Sequence, residues 1–268
     1  MHTLLKPERH QIILEKVTTS EIISVLDLAA MLEVSEITIR RDLDELSGTG
    51  LIVRVHGGAR RACQDESELS VMQRRQQNVK EKQTLAIAAA KLIEDGDVIA
   101  LESGSTTLAL AHQLARMKWQ DLQVVTNSFP ILNVLIHVPT VDIVFLGGMV
   151  DHSEACTYGS FTENNLSHLS VRKLFTGCRG LDIHMGRTND FEASLEVDTV
   201  EAFYKASEQL IMLADHTKLG CVFPLQLLGV EKIDVLIVSD LTPVVKMKPF
   251  ADLGIKIMIA KTESSSSG

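Results

Sequence analysis

Between residues 81 and 260, short apolar runs alternate with segments of helical periodicity. An amphipathic helix comes first, with Leu85, Ala88, Ala89 and Leu92 on one face, and it ends at "EDGD". Strands that alternate with helices are joined by crossovers and therefore lie parallel. The pattern predicts an α/β fold with a doubly wound, mostly parallel sheet. Its strands are expected at 98–101, 124–125, 143–146, 174–175, 210–213, 235–238 and 255–259.

Small and polar residues follow five of these runs: "ESGSTT", "TNS", "GG", "TGCRGLD" and "ADHTK". The carboxyl ends of parallel strands meet at one edge of the sheet, where open α/β sheets bind ligands. "SGSTT" also opens a helix, whose backbone N–H groups and dipole suit a phosphate. The alternative is an ordinary capped strand-to-helix turn. Five such turns at one edge favour a phosphorylated ligand.

The first sixty residues have a different pattern of three short helices and a strand. The helices are expected at 8–16, at 25–32 and after Ser35, which is a plausible N-cap. In the third helix Ile39, Leu43 and Leu46 form one buried face, and Gly48 with Gly50 ends it. A strand at 51–55 and "HGGARR" follow. This order predicts a winged helix-turn-helix.

The third helix and the segment after it supply groups that suit DNA. From 1 to 61 there are eight Lys/Arg against nine Asp/Glu, so Asp42, Asp44 and Glu45 would have to face away from the DNA. The alternative is a solvated helix that binds protein. The side chains expected to contact phosphates or base edges are Ser35, Thr38, Arg40, Arg41, Arg54, His56, Arg60 and Arg61.

Length and charge set limits on this interpretation. A chain of 268 residues holds about two domains. The net charge of −9 excludes nucleic-acid binding over the whole surface but not one local footprint. We divide the chain into a DNA-binding domain at 1–61, a linker and leading helix at 62–80, a ligand-sensing domain at 81–260, and a disordered tail at 261–268.

Cysteine spacing and hydropathy indicate a cytoplasmic protein. Cys63, Cys156, Cys178 and Cys221 lack CxxC spacing, which suits reduced thiols better than a disulfide framework. The sequence has no signal peptide and no apolar run of about 18 residues. His152 with Cys156, and Cys178 with His184, lack further ligands at suitable spacing, so neither a metal nor another cofactor is expected.

"LAAMLEVSEITIRRDLDELSGTGLIVRVHGGA" resembles the N-terminal domain of the DeoR family of bacterial sugar-catabolism repressors. The matching positions are Leu28-Ala29, Val34-Ser35, 38–43, Gly50, Arg54 and 56–59. The segment "EKVTTSEIISV" departs from the family, which usually has a glycine-containing turn there. The resemblance implies that the third helix reads double-stranded operator DNA.

"ESGSTT", "VVTNS", "FLGG", the G-x-x-G-L-D at 177–182, and "ADHTKLG" resemble the family's sensor domain in the same order. That domain is similar in fold to ribose-phosphate isomerase and binds sugar phosphates as effectors. The resemblance implies a phosphate held by Ser103, Gly104, Ser105, Thr106 and Thr107. It implies a pocket lined by Glu102, Thr126, Asn127, Gly147, Gly148, Gly177, Asp182 and Lys218.

Some positions depart from the sensor pattern. Glu102 stands where the family usually has Asp. Glu196 matches the acid of an E-A-x-x-K-R run, but Val200 and Glu201 occupy its basic positions. These differences affect the sugar-facing side of the pocket. Arg179 is either a further anion contact or an exposed side chain.

The leading interpretation is a non-enzymatic repressor of a carbohydrate-catabolism operon, which a phosphorylated sugar releases. The expected partners are operator DNA, the effector, and further copies of the chain in a homodimer or homotetramer, with no membrane. One rival is an isomerase-like enzyme with an appended DNA-binding module, using Lys218, Asp215 and Asp182 for acid–base work. Another is a second domain that only oligomerises.

Overall fold

The computed structural model describes residues 6–19, 22–48, 52–55, 57–61 and 69–261. The chain divides into two compact units, Met1–Glu66 and Ser67–Gly268. None of the described helices is long and apolar enough to cross a membrane.

The first unit is a winged helix-turn-helix, as predicted. Its helices are α1 (Lys6–Thr19), α2 (Val25–Leu32) and α3 (Glu36–Gly48), and its strands are β1 (Ile23–Ser24), β2 (Ile52–Val55) and β3 (Gly58–Arg61). The strands form an antiparallel sheet in the order β1-β3-β2. Helix α1 is longer than the predicted 8–16, and β1 was not expected. Ile39 and Leu43 pack with Ile13, Leu28 and Ile52 in the core.

Local hydrogen bonds set the turn between α2 and α3. Ser24 Oγ accepts from Asp27 N at 3.0 Å and caps α2. Glu33 has a φ of 52° and ends that helix in the left-handed region. Ser35 Oγ accepts from Thr38 N at 3.2 Å, which confirms the predicted N-cap of α3. The predicted strand residue Leu51 lies outside the described residues.

A buried ion pair joins α3 to α1. Arg9 Nε lies 2.7 Å from Asp42 Oδ2, and both side chains are buried. Burial alone would raise the pKa of Asp42, but the hydrogen bonds and charge of Arg9, helped by His10, hold it below its usual value. Glu45 pairs with Lys6 of the same helix α1. Two of the four acids on α3, Asp42 and Glu45, therefore lie against α1.

The second unit is built on a seven-stranded parallel sheet, which confirms the predicted α/β fold. The strands lie in the order β15-β14-β12-β9-β4-β5-β6. Each of the seven predicted apolar runs falls mainly within one of them. Their bounds are β4 (Val98–Leu101), β5 (Leu122–Thr126), β6 (Val141–Phe145), β9 (Val171–Gly177), β12 (Ser207–Ala214), β14 (Val235–Ser239) and β15 (Lys256–Ala260).

Helices cover both faces of this sheet. Ile99 and Leu101 of β4 join the core under the first group of helices, and Ala100 between them faces the other core. The first group comprises α5 (Val79–Ala90), α6 (Ser105–Leu114) and α7 (Phe129–Leu135). The second comprises α8 (Ser160–Ser167), α9 (Val197–Lys205) and α10 (Val244–Asp252), and the short α4 (Val71–Arg74) precedes α5.

Five short strands escaped the sequence analysis. They form a hairpin, β7 (Met149–Asp151) with β8 (Cys156–Tyr158), and a small antiparallel sheet of β10 (Gly180–Asp182), β11 (Gly186–Asn189) and β13 (Leu225–Leu228). The β11 segment, "GRTN", has no apolar residue, yet all four of its residues are buried. Arg187 donates to Glu102, and Thr188 accepts from Phe223 N, and no periodicity predicts these partners distant in the sequence.

The strand order creates a crevice beside β4. From β4 the chain adds β5 and then β6 on one side, and it later returns to place β9 on the other side. At such a switch point the helices that follow neighbouring strands leave on opposite faces, and their separation opens a crevice at the carboxyl ends. The polar segments after β4 and β9 meet there.

One expectation about the cysteines is wrong. Cys156 and Cys178 have free thiols, but Cys221 is disulfide-bonded. Spacing alone cannot exclude a single disulfide, because the geometry of the folded chain decides which thiols meet.

We predict that Asp42→Asn lowers the free energy of unfolding of the first unit by about 3 kcal/mol, because it leaves the Arg9 charge buried without its partner. Asp44→Asn is the matched control, since Asp44 is exposed and its bond to Arg54 should contribute less than about 1 kcal/mol. Urea unfolding of the full chain, followed by circular dichroism, measures both.

The same unfolding experiment, repeated at lower pH, tests the depressed pKa of Asp42. The depressed pKa of Asp42 gives stability that is present above about pH 4 and is lost as the pH falls through the folded-state pKa. The gap between parent and Asp42→Asn should therefore close in acid. Equal unfolding midpoints for the two variants at neutral pH would contradict the role assigned to the pair.

Candidate functional site

Helix α3 presents two arginines on its exposed side. Arg40 meets a carboxylate only at 3.4 Å, on Glu36 of the same helix. Within the described ranges of the first unit, Arg41 makes no ion pair. An exposed i,i+4 pair is worth little, so both guanidinium groups are available to an anionic surface. Asp42 and Glu45 of the same helix pair with α1 instead.

In the wing, which is formed by β2 and β3, one predicted DNA contact is already paired with a carboxylate. Arg54 Nε lies 3.2 Å from Asp44 Oδ1, so a further acid of α3 pairs with a predicted DNA contact. Arg54 Nη1 is buried without a hydrogen-bond partner. Arg60 and Arg61 lie in β3. The predicted contact His56 lies outside the described residues.

The second candidate site lies in the crevice between β4 and β9. Helix α6 begins at Ser105, directly after Gly104, and the first-turn amides of a helix lack intrahelical partners. The turn is held from below, because Ser103 N donates to Asn127 Oδ1 at 3.1 Å and Asn127 Nδ2 donates to Thr157 O at 2.8 Å. A cavity of about 50 Å³ opens in front of it.

A buried ion pair forms the floor of this cavity. Arg187 Nη1 donates to Glu102 Oε2 at 2.6 Å, and Nη2 donates to Oε1 at 3.0 Å. Thr176 Oγ1 also donates to Glu102. Burial alone would lower the pKa of Arg187, but the charge and hydrogen bonds of Glu102 raise it above its usual value. Arg187 Nε is buried, and no hydrogen-bond partner for it lies among the described residues.

A second group of charges forms the wall. Glu154 lies 2.5 Å from Arg74 Nη2 and 3.0 Å from Arg179 Nη2. Burial would raise the pKa of Glu154, but the two arginines lower it. Arg179 Nη1 also lies 3.0 Å from Asp190 Oδ2. The alternative that Arg179 is an exposed side chain is therefore wrong. Both of its terminal nitrogens bond carboxylates.

Glu196 differs from the other acids of the cavity. It ends the 3₁₀ turn Phe191–Glu196 and lies just before α9. Burial, reinforced by the charges of Glu154 and Glu102, raises the pKa of Glu196 to about 8. At neutral pH this carboxyl group is protonated and can donate a hydrogen bond to an oxygen in the cavity.

Six of the fourteen effector residues expected from the sequence line the cavity: Ser103, Gly104, Ser105, Thr106, Gly177 and Arg179. Glu102 and Asn127 lie beneath it and support it. Thr107 Oγ1 donates to Gly104 O at 3.0 Å, and Thr126 Oγ1 donates to Leu101 O at 2.7 Å, so both hydroxyls bond backbone.

The other four lie away from the cavity. A Cβ on Gly148 would come within 2.2 Å of Thr162 Oγ1, so that glycine allows a close approach of the chain, and Gly147 precedes it. Asp182 accepts from the amides of residues 184 and 185 and closes a turn. Lys218 is buried beside Asp215, whose pKa it lowers against the effect of burial.

The sequence analysis did not assign six residues that line the cavity: Arg74, Glu154, Cys178, Arg187, Asn189 and Glu196. Most come from α4, from the β7–β8 hairpin and from β11, outside the short polar segments that directly follow the strands of the large sheet. Of these six, only Glu196 could have been found from the sequence, because it matches the acid of the family's E-A-x-x-K-R run. For Arg187, a basic residue in a segment without periodicity, there was no such signal.

One further cluster has donor atoms that could ligate a metal. In the described part of the chain, side-chain atoms of Glu81, Asp215 and His216 lie within 4.8 Å of one another. Glu81 accepts from His216 N, from His216 Nδ1 and from Ser239 Oγ, and Asp215 accepts from Thr217. These hydrogen bonds occupy both carboxylate oxygens of Glu81. They hold the segment after β12 against α5.

Two family models match the chain. The DeoR-like helix-turn-helix domain matches residues 9–65, and the DeoR C terminal sensor domain matches residues 77–240. Together they contain α3, β2, β3 and every residue that lines the cavity except Arg74.

Curated relatives match along most of the chain. A regulator of Bacillus subtilis, "Uncharacterized HTH-type transcriptional regulator YulB", is 34% identical over 81% of this chain and 82% of its own. "HTH-type transcriptional regulator GolR" of Listeria innocua is 30% identical over 95% and 98%. A "Lactose phosphotransferase system repressor" of Staphylococcus epidermidis is 34% identical over 76% and 78%.

Among solved structures, ribose 5 phosphate isomerase A of Neisseria gonorrhoeae matches 51% of this chain and 52% of its own, with a TM-score of 0.38 and 16% identity. A TM-score this low supports no conclusion about this chain.

We predict a pH-dependent effect of Glu196→Gln. The raised pKa means that the parent loses stability progressively as the pH rises from about 4.5 to about 8, because the unfolded chain ionises first. The variant, which cannot ionise, should match the parent near pH 5 and exceed it at pH 8, by up to about 5 kcal/mol.

Urea unfolding across this pH range measures the effect. Glu94→Gln removes an exposed carboxylate and should follow the parent throughout. A constant difference between parent and Glu196→Gln from pH 5 to 8 would mean that Glu196 is ionised in the folded protein at neutral pH.

Proposed function

The chain belongs to the DeoR family of transcriptional regulators, and from this membership we propose that it represses a carbohydrate-catabolism operon and leaves its operator when a phosphorylated sugar binds. Two relatives support the assignment to carbohydrate catabolism, since each is named as a repressor of a lactose phosphotransferase system. The observation that carries the regulatory function is the pairing of an exposed arginine helix in one unit with an anion-suited cavity in the other.

For the DNA-binding half, the charge distribution on α3 is the support. Asp42 and Glu45 pair with α1, and Asp44 pairs with Arg54. Arg41, and Arg40 with its exposed neighbour Glu36 at 3.4 Å, remain on the exposed side of a recognition helix that would enter the major groove. An acidic protein can in this way bind DNA through one local footprint. We assign phosphate contacts to Ser35 and Thr38, which lie at the start of α3.

For the sensing half, the support is the turn that opens α6. Its free first-turn amides and the helix dipole favour a phosphate in front of Ser105 and Thr106. The unpartnered Arg187 Nε offers one further donor. The protonated Glu196 could donate to the sugar. Arg74 and Arg179 already pair with carboxylates, so we assign them to the shape of the cavity.

The rival enzymatic function is less well supported. Asp182 closes a turn, and Asp215 has a lowered pKa, so neither is the poised acid that an isomerase would need. Neither they nor Lys218 line the cavity. A sensor is stabilised by its sugar phosphate by RT ln(1 + [L]/Kd) and releases it unchanged. Mass spectrometry of the ligand recovered after incubation distinguishes the two functions.

We also propose a cytoplasmic homo-oligomer. Helix-turn-helix proteins commonly read two half-sites about 34–36 Å apart by twofold symmetry. Exposed large apolar side chains of the second unit, among them Met149, Val150 and Phe161, are candidates for the contact. A monomeric mass by light scattering, with and without DNA, would count against this.

We predict that Arg40→Ala and Arg41→Ala each weaken operator binding. A base-reading arginine should cost about 1–3 kcal/mol and relax specificity, while a phosphate contact should lower affinity for all sequences and reduce the salt slope by about one. Lys91→Ala, which removes an exposed charge from the second unit, is the control. Fluorescence anisotropy at several salt concentrations measures all three. Parent-like binding by both arginine variants would refute the recognition-helix assignment.

We predict that Gly104→Asp abolishes the response to the effector. A Cβ at this position meets only Thr107 Oγ1, at 3.1 Å, so the variant should fold, while its carboxylate repels a phosphate at the turn. A panel of pentose and hexose phosphates is first screened by thermal shift on the parent. The stabilising compound should lower operator affinity by about 5–150-fold in the parent and have no effect in the variant.

Asn133→Asp adds the same charge on the exposed side of α7 and should respond as the parent does. Because coupling is reciprocal, operator DNA must weaken sugar binding by the same factor. A variant that still responds would move the effector site elsewhere. A parent that binds DNA more tightly with the sugar would be using it as a co-repressor.

A further inference from the structure

A second and larger cavity lies between helices α5 and α6. Its volume is about 310 Å³, within the range of small-molecule sites, which starts near 300 Å³. The walls are apolar in part, with Ile87 of α5 facing Leu108 and Ala109 of α6. Ile87 is 39% exposed, so its side chain offers an uncovered surface to a ligand.

Three basic side chains converge on this cavity. Arg75 follows α4, His112 lies in the last turn of α6, and Arg116 follows that helix. Arg75 Nη2 lies 3.2 Å from His112 Nε2. No carboxylate lines the cavity, and within residues 69–261 neither Arg75 nor Arg116 makes an ion pair. Lys82, at the inner wall, donates to Arg74 O and Gln77 O.

We infer that this cavity is a second ligand site, which takes a phosphate monoester with a small apolar body. The phosphate would lie between Arg75, His112 and Arg116, because a dianion matches two fixed guanidinium charges and a titratable imidazole. The apolar body would cover Ile87 and Leu108. This site is separate from the proposed effector site and does not depend on that proposal.

The cavity is placed to influence the first one. Ser105, at the start of α6, lines both cavities. Arg74 lines the first and its neighbour Arg75 lines the second. Lys82 Nζ donates to Arg74 O at 2.6 Å and so fixes the segment that carries both arginines. A ligand between α5 and α6 therefore contacts the helix whose N-terminus faces the other cavity.

The imidazole makes binding depend on pH. Burial, and then the charges of Arg75 and Arg116, lower the pKa of His112 below its usual value, while Lys82 is the further cation of the cavity, from α5. His112 is therefore neutral in the empty cavity at neutral pH. A bound dianion favours the imidazolium form, so binding takes up a proton and strengthens as the pH falls.

The probe is phenyl phosphate, titrated into the full chain carrying Gly104→Asp, so that the turn at α6 does not compete. Amide chemical shifts of α5 and α6 report the binding. Arg75→Gln with Arg116→Gln should weaken it by about tenfold or more. Lys80→Gln with Lys118→Gln removes the same charge from exposed positions outside the cavity and should leave the affinity unchanged.

Two further arms test the ligand chemistry. Benzoate, with the same ring and a single charge, should bind several-fold more weakly, and equal affinity would overturn the phosphate assignment. Sulfate stays a dianion between about pH 6 and pH 8, so its affinity should rise on acidification through His112 alone. His112→Gln should remove that dependence. If phenyl phosphate leaves α5 and α6 unperturbed, or binds equally to both double variants, the site does not exist.

Discussion

The ion pair between Glu102 and Arg187 joins β4, an inner strand of the large sheet, to the small antiparallel sheet. Glu102 directly follows β4, and Arg187 lies in β11, 85 residues further along the chain. Burying two charges costs several kcal/mol per ion, and the two-fold contact offsets that cost only while both partners are present. The pair therefore makes the position of β11 depend on the end of β4. Every residue that reaches the cavity from β11 depends on this junction.

The cavity is nearly balanced in charge as a result. Three arginines and three carboxylates pair within it, and Glu196 is neutral at physiological pH. A strongly positive pocket would bind any anion, whereas here the uncompensated donors are the helix amides and Arg187 Nε. Selectivity for a phosphate then rests on fixed backbone geometry at the turn rather than on net charge. The second cavity, with three basic groups and no carboxylate lining it, has the opposite character.

The first unit solves a related electrostatic problem on a smaller scale. Helix α3 carries both arginines and acids, and a helix-turn-helix with no excess of basic residues must separate them by direction. Asp42 is held inside by Arg9, so it does not face the outer side of α3, where Arg40 and Arg41 are exposed. The same contact packs α1 against α3, so the stability of the unit and the electrostatic character of its DNA-facing surface rest on one pair.

The sequence predicts some elements of the structure and misses others. The apolar runs located all seven strands of the large sheet, because its inner strands are buried on both faces and its edge strands β6 and β15 still pack apolar side chains against the core. The turn at Ser103–Thr106 was also identified, since its residues are contiguous. Arg187, Arg74 and Glu154 were not, because each reaches the cavity from an element whose place is set by long-range pairing.

Local sequence determined the two architectures, the caps of α2 and α3, the exposed arginine helix and the phosphate-suited turn, because each depends on residues within a few positions of one another. Only the tertiary structure decided that β9 returns beside β4, that Glu102 meets Arg187, and that Glu196 is buried among acids and keeps its proton. Those outcomes depend on the burial and charge of groups distant along the chain, and no local periodicity encodes that distance.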